Sequence, residues 1–154
     1  MSALAVLLQA APVFLPVIGL VLSPFSTLPV ALAAAVNIYL GLGVLLSTAL
    51  LLMAVSIQEA AILFFSTGIL GVVMGGMIFR KGIFATILAS AVTLSIGMLI
   101  LTYMVAVPGF TEFADSFPVF TIILIFLVFS FVYAGIWSVC FRRFAYRLFK
   151  LKLF

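Results

Sequence analysis

A basic turn between two long apolar runs is the feature that most constrains this chain. The first run ends at Phe79, the turn Arg80-Lys81-Gly82 follows, and the second run begins at Ile83. A helix needs about 20 apolar residues to cross the ~30 Å hydrocarbon core of a bilayer, and both runs are long enough. Because Lys and Arg beside membrane helices mark the cytoplasmic side, the pattern predicts a transmembrane hairpin whose turn faces the cytoplasm.

The composition of the chain indicates that lipid surrounds most of it. The 154 residues are 68% apolar and only 6% charged, whereas ordinary globular domains are about 45–50% apolar and about 25% charged. A water-soluble fold of this size could not bury so much apolar surface. We therefore expect an all-α polytopic bundle of transmembrane helices.

The number of spans depends on residues 28–56, which are apolar almost throughout. Local length favours one long helix that ends at the polar cluster around Gln58 and Glu59. A break at Gly41-Leu42-Gly43 would instead give two short helices, the first of about 13 residues and ~20 Å, too short to cross the core unaided. The long helix gives five spans in the whole chain, and the short pair gives six.

Proline and polar clusters predict the other boundaries. A span that is kinked or locally open is expected over 3–22, because it contains two prolines, and a turn over 23–29. A loop carrying Glu112 and Asp115 is predicted at 107–117. The final span should run from Pro118 to about Val139.

The last stretch, 141–154, is predicted to form a basic helix separate from a transmembrane domain of residues 1–140. Its apolar side chains and its cations fall on different faces, which is typical of an amphipathic helix lying in the membrane interface. The alternative is a frayed tail that only sets topology. Cations directly after a span indicate contact with anionic lipid headgroups rather than with nucleic acid. The predicted headgroup contacts are Arg142, Arg143, Arg147, Lys150 and Lys152.

Small residues predict how the central hairpin packs. Where small residues lie about one turn apart, helices in lipid approach closely, and that contact holds them together. We expect such a contact inside the protein rather than a dimer interface. The predicted packing residues are Gly68, Gly71 and Gly75 in the first helix and Ala85 and Ala89 in the second.

No motif in the sequence predicts catalysis. The chain lacks His and has one Cys, Cys140, which excludes an internal disulfide and a Cys/His metal site. It also lacks a phosphate-binding loop, a catalytic triad and paired carboxylates. We therefore expect neither an enzyme nor a bound metal or cofactor.

Four polar residues are the candidates for ligand contact, because polar groups within spans are the first indication of function. Asn37 needs a hydrogen-bond partner in hydrocarbon, supplied by a neighbouring helix or by a ligand. Glu59 is either the polar edge of an extracytoplasmic site or an acid favoured by a helix N-terminus. The candidate ligand-binding residues are Asn37, Tyr39, Gln58 and Glu59.

Several features occur together in one group of membrane proteins. They are an early proline-rich span, the link from Ser23-Pro24 to Leu28-Pro29, the small-residue run Ala31–Ala35, and a glycine-rich helix ending in Gly75-Gly76 before Arg80-Lys81. In these the chain resembles a family of predicted bacterial membrane proteins similar to the S components, the substrate-binding subunits of energy-coupling factor vitamin transporters.

The resemblance implies six helices, both termini in the cytoplasm, the bacterial inner membrane as location, and a small molecule bound near the extracytoplasmic ends. It also implies partner subunits in the membrane, for which Ala31–Ala35 could offer a docking face. The alternative function is a non-catalytic accessory subunit that packs by its glycine faces in a larger membrane complex.

The predicted orientation can be tested with single cysteines in a Cys140→Ser background. Because the basic turn and the basic tail should lie on one side, Arg80→Cys and Arg147→Cys should both resist a membrane-impermeant maleimide in intact cells and react after permeabilisation. Glu112→Cys, on the other side, should react in intact cells. Opposite labelling of positions 80 and 147 would contradict the topology.

Overall fold

Every regular element in the part of the chain that the structure describes is helical. The computed structural model describes the backbone of residues 1–151 and the side chains of residues 1–147 apart from those of Pro16, Leu20 and Val21. The elements are α1 (Ser2–Phe14), α2 (Pro16–Leu22), a 3₁₀ turn (Ser23–Ser26), α3 (Thr27–Val36), α4 (Ile38–Met53), α5 (Ile57–Ile62), a π-helical segment (Leu63–Gly68), α6 (Ile69–Ile78), α7 (Ile83–Tyr103), α8 (Pro108–Asp115) and α9 (Val119–Leu151).

Three helices are long and apolar enough to cross a bilayer. They are Ile57–Ile78, in which α5, the π segment and α6 form one helix, Ile83–Tyr103, and Val119–Arg147 within α9. Large apolar side chains cover their outer surfaces; Phe84, for example, is 87% exposed. An apolar surface of this extent is unfavourable in water and is typical of a lipid-facing one. The all-α class is confirmed, and the three helices fit a membrane protein.

The predicted single helix over 28–56 is wrong, because Asn37 divides it. Asn37 has an extended backbone (φ −153°, ψ 131°) between α3 and α4. Its Oδ1 accepts the Tyr39 N–H at 2.9 Å and caps α4, a role that Asn often has at helix N-termini. The break is also upstream of the alternative at Gly41–Gly43. The first of these glycines lies inside α4, where its missing side chain lets Ala34 of α3 come close.

The predicted turn over 23–29 is also wrong, because helical backbone continues through it. Leu22, Ser23, Ser26 and Thr27 all have right-handed helical φ and ψ. α2, the 3₁₀ turn and α3 therefore form one path of about 21 residues, or ~31 Å at full α-helical rise. A path of this length can cross the ~30 Å hydrocarbon core, whereas a separate helix of about 13 residues ending near Asn37 could not.

The predicted span over 3–22 is interrupted at Leu15. The residue before a proline is disfavoured in helical conformation, and Leu15, before Pro16, has φ −133° and ψ 84°. α2 folds back on α1 so closely that a side chain at Gly19 would collide with the backbone of Ala11 and Pro12. Of the two expected alternatives the helix is opened rather than kinked, and the first twenty-two residues form a helical hairpin instead of one span.

Two glycines bring α6 against α3. A side chain at Gly75 would overlap the carbonyl oxygen of Ala31, and one at Gly71 would lie 3.0 Å from the carbonyl oxygen of Thr27. Because the later glycine meets the later residue, the two helices run parallel. Gly71 and Gly75 thus pack against another helix of the same protein, as predicted. Their partner is α3, however, and not the expected α7.

Contacts of the same kind orient the other helices. Leu45 lies against Gly68 and Ile38 lies near Gly76, so α4 runs opposite to α6. The Ser2 and Ser47 hydroxyls are 2.6 Å apart, and Gln9, further along α1, bonds to Glu59, which follows the end of α4. α1 therefore runs beside α4 in the same direction. With the turn between α6 and α7, the long helical paths alternate in direction through the bundle. Asn37 and Arg80 share one end, and α8 lies at the other.

The last two helices differ from the prediction. The expected loop over 107–117 contains α8, and the expected boundary at residue 140 falls inside α9, which is continuous. Phe141 and Ala145 are fully buried and pack on the cluster around Met74. The first part of the predicted interfacial helix is therefore packed on the bundle, and residues 152–154 lie outside the described part of the chain.

The contact between α6 and α3 predicts the effect of filling it. Gly75→Leu should destabilise the protein by about 1–3 kcal/mol, because the new side chain overlaps backbone that cannot move easily. Thermal unfolding in detergent should show a clear fall in Tm. Val128→Leu on the outer face of α9, where Val128 is 55% exposed, should leave the Tm almost unchanged. Equal Tm and equal expression of both variants would refute the contact.

Candidate functional site

A fully buried glutamine forms the polar centre of the bundle. The Gln9 amide nitrogen donates to the Glu59 carboxylate at 2.9 Å, and its carbonyl oxygen accepts from Ser26 at 2.7 Å and from Thr67 at 3.3 Å. These four residues, the Gln9 cluster, come from α1, the 3₁₀ turn, α5 and the π segment. Buried amide groups are costly unless paired, and Gln9 has partners for both of its polar atoms.

The π-helical segment Leu63–Gly68 supplies one wall of this cluster. π-helical turns are rare and frequently occur at functional sites. Thr67 lies on the side facing Gln9, whereas the carbonyl of Phe65 faces α7 and occupies the space where a side chain at Gly97 would be. The segment is therefore held between α1 on one side and α7 on the other.

Glu59 is both a residue of a helix terminus and an interior hydrogen-bond acceptor. Ser56 caps α5, and its Oγ accepts the Glu59 N–H at 3.4 Å. In a capping box the acid would return to the N–H of the capping residue. Here the Ser56 N–H donates to the Leu52 carbonyl instead. The carboxylate of Glu59 is consequently available to Gln9.

The four predicted ligand contacts do not come together in one site. Asn37 and Tyr39 lie at the Arg80 end of the bundle, and both are exposed. Gln58 is exposed at the opposite end of the bundle. It is in the first turn of the 22-residue helix Ile57–Ile78, about 30 Å from the Arg80 end of that helix. Only Glu59 faces the interior.

Sequence reasoning overlooked Gln9. The signal was present, since Gln9 is the only Gln, Asn or ionisable residue in the apolar stretch before Asn37, and such residues within a span point to function. The two prolines of this segment predicted only a distortion of its helix, and that prediction did not involve Gln9. Ser26 was assigned to a turn, so its place beside Gln9 was not expected.

An apolar cavity of about 480 Å³ lies at the α8 end of the bundle. The Phe126 ring of α9 packs against two rings of α8, with centroids 6.3 Å from both Phe110 and Phe113. Met98 of α7 and Ile62 of α5 complete the inner wall. None of the residues that line it carries a charge.

A cleft of about 640 Å³ lies at the opposite end, where α7 begins beside α9. Ile83 and Val139 form its apolar part. The polar part is formed by Arg142, Arg143, Tyr146 and Arg147. Three of the five predicted headgroup contacts therefore line one cleft; the side chain of Lys150 and all of Lys152 lie outside the described residues.

The remaining small residues have two different environments. Gly68, Gly71 and Gly75 are buried, whereas Ala85 and Ala89 on α7 are only partly buried. Ala31 and Ala34 are also buried, against the glycines of α6. The run Ala31–Ala35 therefore has much of its surface covered within the protein.

No protein-family model, curated protein or solved structure matches this chain. Its function must therefore be inferred from its own residues, and the likeness to S components stays a prediction.

The Gln9 cluster predicts a difference between two identical substitutions. Gln9→Leu should lower the Tm markedly, because it removes the acceptor shared by the buried Ser26 and Thr67 hydroxyls and the donor to Glu59, and an unsatisfied buried polar group costs about 1–3 kcal/mol. Gln58→Leu, at an exposed position, should change the stability by less than about 0.5 kcal/mol. Both can be compared by thermal unfolding in one detergent. Equal Tm values would mean that the cluster does not stabilise the fold.

Proposed function

We propose that the chain is a membrane subunit that binds a small, mainly apolar molecule at the extracytoplasmic end and helps to transport it with partner subunits, as S components do. The cavity beneath α8 is the observation that carries this proposal. Its volume of about 480 Å³ falls within the range of small-molecule sites, about 300–1,000 Å³.

The alternating helix directions support a six-span arrangement in the bacterial inner membrane. With the turn at Arg80-Lys81 in the cytoplasm, as the basic residues predict, α9 ends on that side, and α1 begins at the middle level of α4 and runs away from that side. α8 then lies outside, together with its acids Glu112 and Asp115. Under this arrangement the apolar cavity opens near the extracytoplasmic surface, where a substrate would arrive.

The lining of the cavity defines the chemistry of the ligand. Phe110, Phe113 and Phe126 present ring faces and edges that favour aromatic partners, and Met98 adds a polarisable side chain that adapts to irregular shapes. A charged ligand would lose its hydration there without an ion pair in return. The expected ligand is therefore a neutral molecule with an aromatic or aliphatic body.

The connection before α8 supports a role for this helix as the cover of the cavity. Ala106 has a left-handed backbone (φ 54°), which costs a residue with a side chain about 1–2 kcal/mol. The following N–H of Val107 donates to the Leu101 carbonyl at 3.1 Å. This turn reverses the chain so that α8 lies over the end of the bundle rather than away from it.

The alternative function, an accessory subunit that packs by its glycine faces, has less support. Gly71 and Gly75 already contact α3 within the chain, and Ala31 and Ala34 are buried with them. A partner subunit would have to use another surface, such as the exposed face of α9. The same consideration applies to docking through Ala31–Ala35.

Filling the cavity tests the proposal. Gly109 lies on the cavity wall, and a side chain there would meet no other atom within 4 Å. Gly109→Leu should therefore fold and occupy the cavity. In nanodiscs, photolabelling by benzophenone should map to Met98 and Phe110 and be blocked by excess naphthalene. The variant should lose this labelling by about tenfold or more, which corresponds to ~1.4 kcal/mol.

The matched control is Gly43→Leu on α4, which also has open space around it and should label as the wild type does. Labelling spread along all lipid-facing helices, or equal in both variants, would contradict a binding cavity. Purification from native membranes tests the second half of the proposal. Nucleotide-binding subunits that copurify would support transport, whereas a large complex without them would favour the accessory role.

A further inference from the structure

The cleft between α7 and α9 gathers positive charge in one place. Arg143 and Arg147 are four residues apart on α9, so their side chains leave the helix on the same face, and Arg142 borders them. α7 begins in the same cleft at Ile83 with no acid in its first turn. The partial positive charge of that helix end adds to that of the guanidinium groups.

No described carboxylate side chain can neutralise this charge. Glu59 begins the helix Ile57–Ile78 at the far end of the bundle, and Glu112 and Asp115 lie in α8 at that same end. Within residues 1–147 no salt bridge forms with any of the three arginines. All three arginines are exposed, so their guanidinium groups are available to an external anion.

The geometry points to the headgroup of an anionic glycerophospholipid as the occupant: we infer that the phosphate binds Arg142, Arg143 and Arg147 while the acyl chains extend along Ile83 and Val139. Guanidinium groups bind phosphate through paired hydrogen bonds. Basic pockets beside cytoplasmic helix ends suit anionic headgroups. A free phosphate ion would use the arginines but gain nothing from the apolar part of the cleft, which favours the lipid.

This site differs from the diffuse interfacial contact that the sequence predicts. Phe141 and Ala145 are fully buried, so they fix the rotation of α9. Arg143 and Arg147, two residues further on, lie about 200° round the helix, on the exposed side that borders Ile83 in the cleft. Tyr146 is exposed beside them and can donate its hydroxyl proton to the phosphate. A fixed site should retain one lipid specifically, whereas a loosely held basic tail would respond only to the total charge of the membrane.

Two double variants with the same loss of charge separate these possibilities. Arg143→Gln with Arg147→Gln removes arginines from the cleft, and Lys150→Gln with Lys152→Gln removes two cations that follow it. Each protein is placed in phosphatidylcholine nanodiscs with a minor fraction of phosphatidylglycerol. Native mass spectrometry then counts the phosphatidylglycerol molecules retained after release. The arginine pair should reduce retention about tenfold or more, and the lysine pair by less than about threefold.

Val139→Trp provides a third variant, which keeps every charge but fills the apolar part of the cleft. It should also lose the retained phosphatidylglycerol, and its Tm should match that of the wild type. Equal losses in the two double variants would overturn the site in favour of diffuse attraction. Displacement of the lipid by inorganic phosphate at equal concentration, or full retention in Val139→Trp, would overturn the lipid as occupant.

Discussion

The close approach of α3 to α6 is the contact on which the remaining arrangement depends. Because Gly71 and Gly75 have no side chains, the α3 backbone can lie directly on α6. The parallel register of the two helices then places Ser26, just before α3, at the level of Thr67, just before α6. Gln9 can join both hydroxyls only because this level is shared. A steric feature of two glycines thus sets the position of the polar cluster.

Lipid exposure explains why the polar groups lie where they do. In the hydrocarbon core no water can hydrogen-bond a polar group. Gln9 therefore forms its hydrogen bonds with side chains of neighbouring segments. Apart from Glu59, which bonds to Gln9, the charged side chains within residues 1–147 lie at the two ends of the bundle, with the basic residues at one and the two acids of α8 at the other. The Gln9 cluster and the apolar cavity both lie close to the helix that carries the π segment.

Some of the fold was predictable from the sequence, and the exceptions have physical reasons. The turn at Arg80-Lys81 was located correctly because charges interrupt apolar runs so clearly. The break at Asn37 was not predicted. A single Asn in an apolar run can cap a helix or lie inside one, and the surrounding sequence is the same in both cases. The glycine face was recognised, but composition alone could not tell whether α3 or α7 would meet it. The Gln9 cluster was the hardest feature to predict. Gln9 and Glu59 are distant in sequence, and they meet only because α1 packs into the bundle beside α4.

The π segment also constrains how related chains could differ in length. A π turn has one residue more than the α-helical turn it replaces, so loss of one residue between Leu63 and Gly68 would restore a regular helix at little local cost. It would, however, rotate α5 against α6 by about 100°. The glycines would keep their place on α3 while Glu59 turned away from Gln9. The extra residue therefore sets the rotation of α5 relative to α6. With it, Glu59 faces Gln9 while the glycines face α3.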